Sequence, residues 1–193
     1  LMRLANIRHI YPRRHLTKWK NNEYVYSYLL REMKIERCNQ VWEIDITYVP
    51  MARGFMYLTA IIDVYSRYIV GWGLSNTLDA ASCLEVLRNA INQHGKPEII
   101  NSDQGSQFTC RQYVEYLKTK GIKISMDGKG RALDNIYIER FWRTIKYQHI
   151  HLFPAVDGLS LYMGIKKWLE RYHYRSHQGI DRNKPSTLYL NAA

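Results

Sequence analysis

The chain has 193 residues, 46% of them hydrophobic, with 28 Lys and Arg against 17 Asp and Glu for a formal charge of +11. This suits one domain with a packed core and a small appendage, and 16 Tyr and 5 Trp exclude disorder throughout. No apolar run approaches the roughly 20 residues of a membrane span, Arg3, Arg8, Arg13 and Arg14 interrupt any secretory signal, and Cys38, Cys83 and Cys110 form neither a CxxC nor an even set.

In chain order, residues 1–40 read as a basic arm, broken at Pro12 and turned at Asn21–Asn22, with a short helix predicted over Tyr24–Met33. Three strands follow at Val41–Val49, Phe55–Val64 and Tyr68–Leu74, the last two joined by a hairpin around Asp63–Arg67. Leu78–His94 has helical spacing and stops at Gly95. A short strand at Glu98–Asn101, a helix at Phe108–Lys120 and a strand at Ile122–Met126 come next. After the loop Gly128-Lys129-Gly130, Asp134 is expected to cap a helix reaching about Tyr147, and Leu159–Tyr174 is the final amphipathic helix. Hairpin strands followed by alternating strands and helices predict an α/β fold, a mixed five-stranded sheet flanked by helices.

Charge is spread unevenly along these elements. Residues 1–40 carry a net +6, residues 41–110 a net −3 and residues 111–193 a net +8. Basic flanks attract a polyanion such as DNA and release its counterions. Carboxylates in the middle would repel phosphate unless divalent cations lie between them. Three acids stand out. Asp45 sits among apolar neighbours in Ile44-Asp45-Ile46, where burial is costly unless the charge is paired or metal-bound. Asp103 ends the fourth strand, at the side of an α/β sheet where ligands gather. Glu139 lies in the helix after the Gly-rich loop, in line with Asn135, Arg143 and Lys146. Carboxylates from separate elements can clamp two hard cations. Each acid also has an ordinary reading: an edge-strand charge, a turn residue before Gly105, a solvated helix position. Asp63 reads as a hairpin residue. His173 and His177, at i and i+4, read as surface or phosphate contacts rather than zinc ligands, and Trp168 and Tyr172 as core.

The segments Trp42-Glu43-Ile44-Asp45-Ile46-Thr47-Tyr48, Ser102-Asp103-Gln104-Gly105-Ser106-Gln107, Gly128-Lys129-Gly130-Arg131-Ala132-Leu133-Asp134-Asn135 and Glu139-Arg140-Phe141-Trp142-Arg143-Thr144-Ile145-Lys146 resemble the core motifs of bacterial insertion-sequence transposases. The resemblance is to the two-reading-frame type, in the integrase-core family, distantly similar to retroviral integrase. The 35 residues between Asp103 and Glu139 match the family's Asp-Asp-Glu spacing. The resemblance implies a ribonuclease-H-like fold and DNA cleavage and joining that depend on Mg²⁺ or Mn²⁺. It makes Asp45, Asp103 and Glu139 the catalytic metal ligands. Lys129, Arg131, Asn135, Arg143 and Lys146 become expected DNA contacts. Residues 41–155 become the catalytic core, 156–193 a helical extension, and 1–40 a candidate remnant of a DNA-binding region. Asp127, Gln148 and His173 depart from the family pattern. Without an initiator Met or helix-turn-helix segments, the chain reads as a fragment or a downstream reading frame.

The expected mechanism uses two ions about 3.5–4 Å apart, without a covalent enzyme intermediate. Water first frees a 3′-OH at a transposon end, and that 3′-OH then attacks target DNA. Glu139 is expected to reach its working position when DNA binds. Cutting two ends together calls for a homo-oligomer on DNA, in the bacterial cytoplasm at the nucleoid. Rival readings are a nuclease of the same fold that hydrolyses without joining, a retired transposase serving as a DNA-binding module, and a basic structural protein.

Overall fold

The computed structural model describes residues 24–128 and 134–191. Ten-residue β1 (Val41–Pro50) pairs antiparallel with β2 (Phe55–Asp63), which pairs antiparallel with β3 (Ile69–Ser75). On its other edge β1 pairs parallel with β4 (Ile99–Ser102), and β4 with β5 (Lys123–Met126). The sheet order is therefore β3-β2-β1-β4-β5, the mixed five-stranded sheet expected.

Alternation along β1 sends its side chains to two different cores. Trp42 and Ile44 join a core with α1 (Ala80–His94) and α2 (Arg111–Thr119) through Leu84, Leu87, Tyr113 and Leu117. Val49 joins the opposite core with α3 (Ile136–Ile145) and α4 (Gly158–Tyr174) through Ile138, Phe141, Ile165 and Trp168. Trp168 and Tyr172 are core residues, as their spacing predicts. α4 is opened by a capping box on Asp157, whose carboxylate accepts from the Ser160 N–H at 2.7 Å. On the first face α1 lies close against β3, because a Cβ at Gly71 would stand 2.9 Å from that of Ala90.

Four features depart from expectation. No helix forms at Tyr24–Met33; the segment is extended and alternates inward and outward. Tyr24 and Tyr26 pack on the α1/α2 core, Leu30 is buried beside Val41 and Ile99, and the Leu29 N–H donates to Ser125 Oγ at 3.0 Å. Tyrosines at every second position fit a half-buried extended chain better than a helix. Asp134 does not cap α3, since Asn135 holds the N-cap position. Beyond Ile145, α3 widens into a π-helical turn over Lys146–Ile150. The chain then adds a short α5 (Pro185–Leu190), whose Tyr189 enters the α1/α2 core. Among the described residues no helix is long and apolar enough to cross a membrane.

Candidate active site

The three acids come from β1, the end of β4, and α3. Parallel pairing between β1 and β4 ends at Glu43 with Asn101, whereas the antiparallel pairing of β1 with β2 runs on to Pro50. Asp45 lies two residues beyond that last parallel pair on β1, and Asp103 two residues beyond it in the chain leaving β4. The two carboxylates thus flank the place where parallel strands part, at the carboxyl end of β4, where open α/β sheets form their crevices.

Asp45 faces α3, and its Oδ2 accepts from Trp142 Nε1 at 2.8 Å. Its carboxyl is pushed up to about 6, first by burial and further by the charges of Asp103 and Glu139, with the Trp142 N–H pulling the other way. Asp103 and Glu139 are thus near enough for their charges to act on Asp45. Asp103 is exposed, and its Oδ1 accepts from the Gly105 N–H at 2.9 Å in a tight turn. A Cβ at Gly105 would lie 2.8 Å from that same oxygen, so glycine leaves the carboxylate its room. Glu139, also exposed, lies in the first turn of α3. Among the described residues, no three His, Cys, Asp or Glu side chains stand close enough together to grip an ion as they are placed.

A second ring of polar residues fixes this frame, and sequence reasoning gave most of its members no part in it. Glu43 is 1% exposed, accepts from the Ile138 N–H at 2.9 Å, and so pins the start of α3 to β1. Burial drives its carboxyl up to about 8. Asn101 accepts from Ser125 Oγ at 2.7 Å and donates to Asp127 Oδ1 at 2.7 Å and to the Asp134 carbonyl at 3.0 Å. Asp127 is therefore a half-buried structural acid, raised by burial to about 7. Asp134 accepts from the Gly128 N–H at 2.9 Å, closing the neck of the loop rather than capping the helix. The signal for Glu43 was its shared face with Asp45; that for Trp142 was its place one turn past Glu139.

The expected DNA contacts fall in different surroundings. Lys129 and Arg131 lie outside the described residues. Asn135 is 5% exposed, and its Oδ1 has no hydrogen-bond partner among the described residues. Arg143 is exposed, while Lys146 is half-buried with its ammonium lowered by burial and drawn back by the Asp45 charge. Lys146 is thus near enough to Asp45 for the two charges to interact. His173 is no zinc ligand with His177. Its Nε2 accepts from the Ile69 N–H at 3.1 Å and its ring stacks on Tyr68 at 3.9 Å, while His177 lies beyond the end of α4. Gln148 accepts from Arg175 at 3.3 Å.

Comparison with known proteins agrees with this frame. The integrase core domain model matches residues 36–132, and a second integrase core domain model matches residues 120–185. The transposase for insertion sequence element IS904 of Lactococcus lactis is 35% identical over 151 residues, covering 76% of this chain and 60% of that protein. Transposase InsF for insertion sequence IS3A of Escherichia coli is 34% identical over 115 residues, covering 58% of this chain and 40% of that protein. The chain thus spans about half the length of these relatives. Among solved structures, the HTLV-2 integrase catalytic core domain in complex with magnesium superposes with a TM-score of 0.64 at 19% identity, covering 79% of this chain and 97% of that one. A chain of the simian T-cell lymphotropic virus intasome in complex with PP2A regulatory subunit B56 gamma gives a TM-score of 0.70 at 17% identity, covering 81% of this chain and 57% of that one. The fold is accordingly the ribonuclease-H-like fold of integrase cores, and the chain belongs to the integrase core domain family.

Proposed function

We propose that this chain is the catalytic core of a DNA transposase, cutting phosphodiester bonds at transposon ends and joining the freed 3′-OH to target DNA. The observation that supports this reading is the parallel pairing of β1 with β4, which puts Asp45 and Asp103 on neighbouring segments where the two strands part, with the Glu139 charge acting on the Asp45 carboxyl. Support also comes from the transposases it resembles.

Asp45, Asp103 and Glu139 would hold two Mg²⁺ or Mn²⁺ ions, since all three offer the hard oxygen donors such cations take. Bound there, the ions would activate the attacking oxygen and stabilise charge on the leaving one. The protein's own groups do the rest. Trp142 fixes one oxygen of Asp45, which orients the carboxylate. Glu43 and Asn101 hold α3 and β4 in place around it. Glu139, exposed on the first turn of α3, completes the set by turning inward when DNA arrives. Lys146 and Arg143, with Lys129 and Arg131 of the loop, hold the phosphate backbone, whereas Asn135 is buried and would reach it only if the loop moved. DNA is the partner, at the bacterial nucleoid, and the chain works as a homo-oligomer on it.

The test is Asp103→Asn. In EDTA this variant should bind a labelled duplex like the parent chain; with Mn²⁺ it should neither nick supercoiled plasmid nor join a 3′-OH oligonucleotide to it. Nicking at the parent rate would reject the site. Nicking by the parent without any joined product would instead favour the hydrolytic rival.

A further inference from the structure

A second charged cavity of about 370 Å³ lies against α3, walled by Arg67, Tyr137, Arg140, Arg143, Tyr172 and His177. Its walls come from the β2–β3 turn, α3, the end of α4 and the chain that follows. Among the described residues, three arginines line it and no carboxylate does.

Arg67 anchors the cavity. Its backbone is left-handed, with φ 64°. Asp63 holds this turn: its Oδ1 accepts from the Ser66 N–H at 2.8 Å and hydroxyl at 2.6 Å, and its carbonyl accepts from the Arg67 N–H at 2.8 Å. The Arg67 guanidinium lies 3.8 Å over the centre of the Tyr137 ring. It is half-buried and forms no ion pair among the described residues. The neighbouring acid Glu43 is occupied by the Ile138 N–H. Arg67 also shares a side-chain hydrogen bond with Tyr137, and a guanidinium stacked by its face has further edge donors whose fork matches the oxygens of a phosphate. Arg140 and Arg143, three apart on α3, meet on the same side of that helix. His177 is steadied by its contact with the Tyr172 carbonyl at 3.0 Å.

We propose that this cavity is a phosphate subsite, seating a backbone phosphate of the DNA strand that enters the acidic cluster. It rests on the DNA reading above and adds Arg67, Arg140, Tyr137 and His177 to the interface. Glu139 and Arg143 are separated by about 6 Å of helix rise. A strand reacting at Glu139 can therefore lay a nearby phosphate against Arg140 and Arg143, with Arg67 beneath it.

The experiment measures binding of the 193-residue chain to a fluorescent 30-bp duplex in EDTA, across 50–200 mM NaCl. Cleavage is not needed, so failure of the catalytic reading leaves this readout intact. Arg67→Gln/Arg140→Gln should weaken binding and flatten the log–log salt slope by about one unit, the share of one phosphate. Lys118→Gln, on α2 across the sheet, should leave the slope unchanged. Because Arg140 is exposed, Arg140→Gln carries the test alone if the double variant does not fold; an unchanged slope in it overturns the proposal. Titration with inorganic phosphate, followed by thermal shift, is the second arm. Protection that depends on Arg67, together with an unchanged DNA slope, would assign the cavity to a free anion and overturn the backbone assignment.

Discussion

Asp63 and Asp45 lie on paired strands, and burial pushes both carboxyls upward, yet the two are furnished differently. Asp63 receives the Ser66 N–H and hydroxyl on one oxygen and the Asn39 N–H on the other, at 2.6–2.8 Å. Asp45 receives the Trp142 N–H and has two further carboxylates for neighbours. One acid is satisfied by the protein. The other is left with a surplus of negative charge that a cation would relieve. Burial of an acid therefore does not mark a reactive site; the deficit of donors around it does.

Exchanging the two roles is the strongest way to break this contrast. Asp45→Asn should abolish Mn²⁺-dependent nicking, a fall of about 10³-fold or more, without lowering the melting temperature. Asp63→Ala should do the reverse, costing about 2–4 kcal/mol in urea unfolding, because three donors lose their acceptor. Comparable losses of stability in both variants would erase the distinction.

Smaller effects sharpen it. Trp142→Phe keeps the ring packing but removes the one side-chain hydrogen bond that Asp45 accepts among the described residues, and should weaken Mn²⁺ binding by about 10- to 100-fold in calorimetric titration. The pH dependence has a definite sign. Glu43, Asp127 and Asp45, raised to about 8, 7 and 6, favour the folded state when protonated. Their contribution is complete below their ordinary values near 4 and is lost as pH rises through 6 to 8. His173, lowered to about 4 by burial, acts oppositely: its contribution is present above about 6.5 and lost as pH falls towards 4. The melting temperature should rise by a few °C between pH 8.5 and 6.5 and then flatten. Mn²⁺ should offset that gradient, since binding requires deprotonated carboxylates. A melting temperature that climbs from pH 6.5 to 8.5 without metal would contradict this. Smallest is Lys146→Ala, which should flatten the salt slope of DNA binding by about one unit.

The strands and long helices were legible because their apolar periodicities are clean, and Asp45 because a charge between Ile44 and Ile46 is anomalous in a strand. Tyr24–Met33 misled, because its alternation is carried by amphipathic tyrosines that pack without being fully buried. Asp134 carried the usual capping signal, but Gly128 reached its carboxylate instead. Arg67 could not be linked to Arg140 and His177 from spacing, since only the folded sheet and helix bring three distant segments to one cavity. Trp142 is a core residue whose one polar atom matters, which composition does not reveal.

The early end of the β1–β4 ladder has a mechanical consequence. Past Glu43, β1 pairs with β2 alone among the described strands, so Asp45 and Asp103 are joined by no interstrand bond. The two strands work as tweezers. Their pivot is the Glu43–Asn101 pair, held stiff by Ser125 and Asp127, and their tips are the two aspartates. A cation placed between the tips would draw on one carboxylate from each strand.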